Sequence, residues 1–390
     1  MFRISRLQQV MKALPRDRFQ RVVDAHEGDK HSKGFSCWDQ LLAMSYGQLS
    51  GATGLRDVEA GFNQHRSQHY HLGTREVRRS TLADANRKRN PAVFAEVARL
   101  LMAQVQRRER RASERLLYLL DSTAITLRGR GFDAWTQAER TDHHQGIKLH
   151  VVYGAQVQAP CAASMTAANV NDIVEGVKVP LQAGAMYVFD KAYYDFGWWQ
   201  RIDQAGARFV SRFKTNVRLK VLRRRAVPRP AAALVLRDER VQFDNPTPRG
   251  GHRNPYTQPL RRIVVARPEH ATPLVLATND LRAPALTIAQ RYKDRWQIEL
   301  FFKWIKQHLK IQRFMGRSEN AVRIQILTAL ITYLLVALYR TAHGLKVSLW
   351  TVLRELRPTL FQRVEIEAQL FRRRREQQAQ LARLQPGLFP

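Results

Sequence analysis

Residues 292–306 read YKDRWQIELFFKWIK, and the rest of the chain is interpreted outward from this stretch. The segment contains neither Gly nor Pro, so it predicts one helix that is capped by Thr287 and runs to about Lys310. Four polar side chains would share a stripe roughly 60° wide at about 100° per residue, namely Tyr292, Arg295, Glu299 and Lys306. The stripe combines a carboxylate, which is a ligand for hard metal ions, with groups that bind phosphate. On spacing alone, an amphipathic helix with surface ion pairs is the alternative interpretation.

The composition is strongly basic. Lys and Arg number 65 against 33 Asp and Glu, which gives a formal net charge of +32 spread along all 390 residues. Such a positive field is typical of proteins that bind polyanions, and nucleic acid is the most common of these. The length suggests two or three domains, and a hydrophobic content of 44% is enough for sizeable cores.

The sequence carries no sign of secretion or of membrane insertion. Cys37 and Cys161 are too few for a disulfide framework, and the first residues lack the apolar core of a signal peptide. The longest apolar stretch, Ile324–Tyr339, is short for a bilayer span and is interpreted as a buried helix. We therefore expect a cytoplasmic protein.

Two short apolar segments each predict a strand that ends on an acid. LLYLLDST (116–123) contains Asp121, and MYVFD (186–190) ends on Asp190. If the two strands are parallel neighbours, both carboxylates lie at the carboxyl edge of the sheet, and Glu299 on a closing helix would complete a set of three. Phosphodiester transfer with two metal ions requires carboxylates that converge in this way. Acids at strand ends are also common as simple turn or cap residues.

The spacing of the four polar residues in the opening stretch resembles the YREK signature of bacterial cut-and-paste transposases. These enzymes are the insertion-sequence family 4 branch of the DDE transposases. The flanking RYKDRWQIELFFKWIKQHLKIQRFMG is similar to that family as well, and DST and DKAYYDFGWW resemble its first and second aspartate motifs. The first hundred residues also resemble the family's N-terminal domain through HLGTREVRRSTLADANRKRN.

The resemblance implies an α/β fold with a ribonuclease-H-like mixed-sheet catalytic core, a β-rich insertion, an all-α N-terminal domain and a helical C-terminal region. The expected division of the chain is as follows: residues 1–110 form a helical DNA-binding or adaptor domain, 111–213 and 286–312 the catalytic core, 214–285 the insertion, and 313–390 the basic helical C-terminal region.

The resemblance also implies an activity, metal-dependent phosphodiester hydrolysis followed by strand transfer from a 3′ hydroxyl. Three residues would be catalytic and would hold two Mg²⁺ ions, with Mn²⁺ able to replace them: Asp121, Asp190 and Glu299. Three others would bind the DNA phosphate: Tyr292, Arg295 and Lys306. The expected partners are double-stranded DNA, as terminal inverted repeats and target, and a second copy of the chain in the paired-end complex. Binding to DNA would associate the protein with the bacterial nucleoid.

Further candidates rest on weaker patterns. Lys148 and His150 are possible DNA contacts because KLH recurs at this place in the family, although a solvated strand face is equally compatible. A helix over residues 80–89 would carry Arg87 and Lys88 on its outer face, which suits a helix-turn-helix reader or, alternatively, an adaptor. His143, His144 and His150 do not have zinc spacing to a Cys or acid cluster, and three further acids are not assigned to metal: Asp142, Asp172 and Asp195.

One departure from the family concerns the DNA hairpin. Family members that form a hairpin are thought to stack a flipped base on a tryptophan of the insertion, but residues 214–285 contain no Trp. The possible substitutes there are Phe243, Tyr256, His252 and His270. Two other functions remain open at this stage: a metal-dependent nuclease that never joins DNA, and a basic DNA-binding repressor without enzymatic activity.

Overall fold

The computed structural model describes residues 4–112, 116–137, 145–244, 254–267, 270–308 and 313–362. The chain divides into two compact units, Met1–Leu101 with Gln307–Pro390, and Met102–Lys306. Helix α7 (Ala92–Ala112) begins in the first unit and ends in the second. The four-part division expected from the sequence remains a prediction.

The first unit is helical in its described residues. Its helices are α1 (Arg6–Met11), α2 (Arg16–Ala25), α3 (Cys37–Ser50), α4 (Leu55–Asn63), α5 (His69–Leu72), α6 (Arg79–Lys88), α13 (Glu319–Ala342) and α14 (Leu349–Leu356). Helix α3 begins at a capping box formed by Ser36 and Asp39, and it ends at Gly51, whose φ of 79° favours glycine. The helical apolar spacing of CWDQLLAMSYGQLSG (37–51), which stops at Gly51, predicts this helix.

Helix α13 is the core of the first unit. It is the one described helix that is long and apolar enough to cross a membrane, yet 94% of its most apolar window is buried within the protein. Buried helices in soluble proteins have the same property, so the interpretation of Ile324–Tyr339 as a buried helix is confirmed.

The second unit is built on one nine-stranded sheet with the order β3-β2-β1-β4-β5-β9-β8-β7-β6. The strands are β1 (Leu117–Thr126), β2 (Gly146–Gly154), β3 (Ala159–Ala167), β4 (Met186–Phe189), β5 (Arg208–Arg212), β6 (Leu219–Arg224), β7 (Val235–Phe243), β8 (Leu260–Val265) and β9 (Leu274–Thr278). Strands β1, β2 and β3 are antiparallel, whereas β1, β4 and β5 are parallel neighbours. The order β3-β2-β1-β4-β5, with these strand directions, is that of a ribonuclease-H-like core.

The insertion is not a separate sheet, because its strands continue the core sheet from β5 outward. Strand β9 pairs antiparallel with β5, and β8, β7 and β6 follow in turn, all antiparallel. Strand β7 was not singled out from the sequence, since the four consecutive charged residues in its middle (237–240) conceal the alternation.

The boundaries predicted for β1 and for the helix that carries Glu299 are wrong. Strand β1 does not end at the acid but continues to Thr126, because its second half pairs with β2. The predicted single helix is two helices, α11 (Ala285–Asp294) and α12 (Trp296–His308), and Thr287 lies inside α11 rather than capping it. Pro284 occupies the cap position of α11. The helix is interrupted at Arg295, where two i→i−3 hydrogen bonds tighten the turn: the Arg295 N–H donates to the Tyr292 carbonyl, and the Ile298 N–H donates to the Arg295 carbonyl.

Shorter helices complete the second unit: α8 (Asp133–Thr136), α9 (Asp172–Gly176) and α10 (Phe196–Gln204). The Asp195 side chain caps α10 by accepting a hydrogen bond from the Trp198 backbone N–H at 2.7 Å. The sequence predicts this helix over residues 193–204, but it starts later, at Phe196, and residues Lys191–Tyr193 form a separate 3₁₀ turn.

Candidate active site

The two strand acids stand side by side. In the parallel pair of β1 and β4, Leu120 is opposite Phe189. The residue that follows each of them is an aspartate, Asp121 after Leu120 and Asp190 after Phe189. Asp190 has already left the strand and caps the 3₁₀ turn that follows. The shared position arises because the parallel ladder ends at the same level on both strands, as the sequence predicts for adjacent parallel strands.

Arg295 connects the first of these acids to the third. Its Nη1 donates to Asp121 Oδ2 at 2.9 Å, and its Nη2 donates to Glu299 Oε1, one helical turn along. The Arg295 side chain is 16% exposed, and its Nε is buried without a hydrogen-bond partner. The break between α11 and α12 lies at this residue, so the structure directs the guanidinium towards β1 rather than along the helix surface.

The electrostatics of Asp121 show that the three acids share one field. Burial, together with the smaller effect of the Glu299 and Asp190 charges, raises the pKa of Asp121 to about 6. The Arg295 guanidinium and the Ser122 backbone N–H lower the pKa and offset part of this. A carboxyl with such a pKa is typical of functional sites in which acids are gathered against their mutual repulsion.

Two further side chains border the site. The Tyr292 ring lies with its centroid 5.8 Å from the Arg295 guanidinium carbon, and burial raises the pKa of this phenol. Arg212, at the end of β5, places Nη1 3.9 Å from Asp190 Oδ1. Sequence reasoning missed Arg212, although β5 is the next parallel strand and ends at the same edge of the sheet.

Lys306 is turned towards β1. Its Nζ donates to the carbonyl of Ala124 at 3.1 Å, and burial lowers its pKa. The ammonium thus lies three residues beyond Asp121 on the same strand, and it brings α12 and the end of β1 together.

Lys148 and His150 lie on the other face of the sheet. Ser122 is opposite His150 and Ala124 opposite Lys148, whereas Asp121 is opposite Val151. Side chains alternate along a strand, so these two residues point away from the three acids. Their role as DNA contacts stays a prediction that this placement does not favour.

Asp172 organises that opposite face. It accepts a hydrogen bond from the Ser122 hydroxyl at 2.8 Å, and its carboxylate lies 3.2 Å from Lys148 Nζ. The segment Asn169–Asp172 follows β3 and, from the sequence, predicts a cap for the next helix. Asn171 does hold the cap position of α9, but its side chain makes no capping hydrogen bond.

The donor set is of the kind that a divalent metal ion takes. In the described part of the chain, no three His, Cys, Asp or Glu side chains are close enough to hold a metal ion as they stand. The Arg295 guanidinium lies between two of the acids and pairs with both Asp121 and Glu299. Carboxylate oxygens are the ligands that Mg²⁺ prefers, and the guanidinium supplies the positive charge that an ion would supply. His143, His144 and Asp142 lie outside the described residues.

Two of the four candidates for base stacking are occupied, since Tyr256 is only 2% exposed and Phe243 packs edge-on against Phe196 at 4.9 Å. His270 is exposed and lines the same cavity as Tyr292 and Arg295. Trp296, which the sequence did not single out, lines this cavity too and is 59% exposed. His252 lies outside the described residues.

The N-terminal candidates lie on α6 and are accessible. Arg87 and Lys88 have side chains that are 61% and 66% exposed, and both approach Asp84, at 2.8 and 3.5 Å. Part of their charge is therefore neutralised locally, and their contact with DNA stays a prediction.

Comparisons with known proteins agree with this geometry. Residues 112–335 match the family described as "Transposase DDE domain", and residues 3–75 match a "Domain of unknown function (DUF4372)". The chain is 44% identical over 257 residues to y4zB of Sinorhizobium fredii, a protein named as a transposase, covering 65% of this chain and 69% of the relative. It is 29% identical over 239 residues to a Geobacillus stearothermophilus protein named as the transposase for insertion sequence element IS5377, covering 61% and 60%.

A solved structure is also similar to the chain. It is the cryo-EM structure of the piggyBac transposase synaptic complex with hairpin DNA, with a TM-score of 0.46 and 13% sequence identity, covering 92% of this chain and 80% of that one.

The chain belongs to the DDE transposase family, because the family match spans more than half of its residues. Members of this family are DNA-cutting and strand-transferring enzymes that generally use divalent metal ions such as Mg²⁺. The protein is accordingly a DNA transposase, and neither a repressor without activity nor a nuclease that never joins DNA is favoured.

Proposed function

We propose that Asp121, Asp190 and Glu299 are the catalytic carboxylates of this transposase and that they hold two Mg²⁺ ions, which Mn²⁺ can replace. The observation that carries the proposal is the Arg295 bridge, which joins an acid on β1 to an acid on α12 beside the end of β4. Three acids from three separate elements then act on one centre, and the raised pKa of Asp121 supports this. When bound, the ions would activate the attacking oxygen and stabilise the leaving oxygen of the phosphodiester.

Cationic and phenolic groups around the acids would hold the DNA phosphate. Arg295 has a buried Nε without a hydrogen-bond partner, so its guanidinium has capacity for a further acceptor. Once the ions neutralise the carboxylates, this guanidinium can turn from them to a phosphate oxygen. Tyr292 and Lys306 flank it, and Arg212 adds a fourth group at the end of β5. Positioning of this kind provides much of the rate in phosphoryl transfer.

The reaction proposed is hydrolysis at each end of the element, followed by attack of the freed 3′ hydroxyl on target DNA. The partners are the terminal inverted repeats, the target duplex and a second copy of the chain in the paired-end complex, with the protein associated with the nucleoid. The net charge of +32 supports tight binding to the polyanion.

The experiment is a cleavage and joining assay on a labelled duplex carrying the element's own end, with Mg²⁺ and a target plasmid. Wild-type protein is expected to nick the end and to give a joined product. Asp121→Asn, Asp190→Asn and Glu299→Gln are expected to lose both products while they still retard the duplex in a gel shift. Asp195→Asn is the matched control, because Asn caps a helix as well as Asp does and Asp195 only caps α10.

Two outcomes would contradict the proposal. If any of the three variants nicks at the wild-type rate, that residue is not a catalytic ligand. If wild-type protein nicks but never joins, the enzyme is a nuclease only. A second copy in the complex is tested by light scattering of the protein–DNA complex, where a mass of one chain per two ends would rule out the dimer.

A further inference from the structure

Three arginines form a row across the outer strands of the sheet. Arg223 on β6 is directly opposite Arg240 on β7, and Arg240 is directly opposite Arg261 on β8. Directly opposed residues of antiparallel strands project from the same face, so the three side chains are neighbours. Like charges in this arrangement are destabilising unless an anion lies between them.

Only one end of the row has its own anion. Arg261 is 1% exposed and donates to both carboxylate oxygens of Asp238, at 2.7 and 2.6 Å. Arg225 also approaches Asp238, at 3.6 Å. Within the described part of the chain, Arg223 and Arg240 have no acidic side chain within ion-pair distance, and both are exposed. The folded protein therefore keeps two opposed, accessible guanidinium groups without a counter-charge.

The row lies on the same face of the sheet as the catalytic acids. The register can be followed from strand to strand through opposed residues, from Arg261 to Thr278, Val210, Val188 and Leu119. Leu119 is two residues before Asp121, and residues i and i+2 of a strand share a face. A duplex lying across this face would meet both the acids and the arginines.

Two estimates place the row at a similar distance from the acids. Strand β7 is four neighbours away from β4, which corresponds to roughly 19 Å at about 4.8 Å per strand. Arg261 also donates to the carbonyl of Ala283, just before α11, and Arg295 follows after about twelve residues, or roughly 18 Å of helix. In B-form DNA this separation equals about five to six base pairs at roughly 3.4 Å each.

We propose that Arg223 and Arg240 form a second phosphate-binding site, which grips the backbone of the duplex about five to six base pairs from the bond being cut. A cavity of about 470 Å³ opens there, and its lining is cationic: Arg223, Arg224, Arg225, Arg240, Arg261, together with Ala226 and Leu281. The buried Arg261–Asp238 pair forms the base of the site and holds the strands in register. This inference rests on the proposed function, since it takes the bond being cut as its reference point.

Protection of the sheet edge does not account for the row. Strand β6 is the outermost strand, and cationic side chains on such a strand prevent pairing with other chains. Arg240, however, lies on β7, inside the edge. Arg237 on the same strand is also exposed but belongs to the opposite face, because it is opposite Val264 while Asp238 is opposite Ile263.

The test compares Arg223→Ala and Arg240→Ala with Arg237→Ala as the matched control. The affinity for a 40-base-pair duplex with the element end at its centre is measured by fluorescence anisotropy across a salt series. A contact with one phosphate contributes about −0.9 to the slope of log K against log salt. Each row variant is expected to make the slope shallower by about 0.9, and the double variant by about 1.8, whereas Arg237→Ala keeps the wild-type slope.

Trimming the duplex locates the contact. When one of the two flanks is cut to four base pairs, the difference between wild type and the double variant is expected to disappear. The proposal is overturned if Arg237→Ala changes the slope as much as Arg240→Ala, if neither row variant changes it, or if the difference survives trimming of both flanks. Failure of the proposed function is read separately, as the absence of Mg²⁺-dependent nicking by wild-type protein.

Discussion

Arg295 donates to Asp121 at 2.9 Å although 174 residues of the chain separate them. The contact joins the junction of α11 and α12 to strand β1, and a second bond from the same guanidinium reaches Glu299. In the absence of metal, one cation therefore balances two of the three proposed ligands. Metal binding and the release of Arg295 from these carboxylates should be coupled.

Replacing Arg295 by Ala should lower the stability of the metal-free protein and increase the stability that Mg²⁺ adds. Loss of the guanidinium leaves two partly buried carboxylates without their partner, so we expect the free energy of unfolding to fall by about 2 kcal/mol. Mg²⁺ no longer competes with Arg295, so it should stabilise the variant more than the wild type. Thermal unfolding with and without Mg²⁺ measures both effects. Arg295→Lys keeps the charge, so its stability and its gain from Mg²⁺ should lie between those of the wild type and Arg295→Ala. An equal gain from Mg²⁺ in all three proteins would show that Arg295 does not compete with the metal ion.

A buried acid outside the site should give the protein a measurable pH dependence. Glu109 is fully buried and accepts hydrogen bonds from the backbone N–H groups of Gln156 and Val157, at 3.0 and 2.8 Å. Burial raises its pKa above the ordinary value, so the folded state binds its proton more tightly than the unfolded state. Its contribution to stability is then complete below the unfolded pKa of about 4.3 and is lost as the pH rises through the raised folded pKa.

Glu109→Gln removes this titration and serves as the reference. The difference in unfolding free energy, wild type minus variant, should decrease as the pH rises from the unfolded pKa of about 4.3 through the raised folded pKa, as measured by urea denaturation across a pH series. The Gln variant also loses one acceptor, but that loss is the same at every pH. A difference that stays constant or grows with pH would mean that Glu109 does not titrate in this range.

Gly146 should tolerate no side chain. It has a φ of 134°, and a Cβ built there would lie 2.3 Å from the carbonyl oxygen of Ile125 on the paired strand. We expect Gly146→Ala to lower the free energy of unfolding by at least about 3 kcal/mol, from backbone strain plus displacement of β1. Gly129→Ala is the control, because Gly129 has a φ of 93° but open space around it, and it should cost only about 1 kcal/mol. Chemical denaturation measures the free energy of unfolding of both variants. If Gly146→Ala and Gly129→Ala lose the same amount, the contact with the Ile125 carbonyl does not destabilise the protein.

The buried pair of Asp238 and Arg261 predicts a rescue. Asp238→Ala leaves Arg261, which is 1% exposed, without its anion, and should lower the free energy of unfolding by about 3–5 kcal/mol. Adding Arg261→Met should recover part of this loss, because it removes the unpaired buried charge. Both values come from urea denaturation. If the double variant is no more stable than Asp238→Ala alone, the uncompensated charge is not the cause.

Local patterns were sufficient to predict that two acids lie side by side at one edge of the sheet. Short apolar segments ending on acids predicted where Asp121 and Asp190 meet, because parallel strands end at a common edge. The extension of β1 to Thr126 was not visible, since it depends on pairing with a distant strand. The break at Arg295 was not visible either. No Gly or Pro marks it, and it coincides with a contact across the fold to Asp121.

Long-range register was the part that the sequence could not supply. Arg212 became a site residue only once β5 was aligned beside β4. The row formed by Arg223, Arg240 and Arg261 depends on three strands that are paired in one register, with irregular positions on either side. A single sequence carries the charges but not the partner that each one faces.

The continuity of the nine strands makes the insertion a structural necessity for the catalytic core. Strand β9 covers the outer side of β5, the strand that carries Arg212. A shortened enzyme without residues 214–285 would present the bare amide and carbonyl groups of β5 to solvent, and such an uncovered strand recruits other chains and aggregates. Attempts to obtain a minimal transposase from this chain by excision should therefore fail through insolubility, before any question of DNA recognition arises.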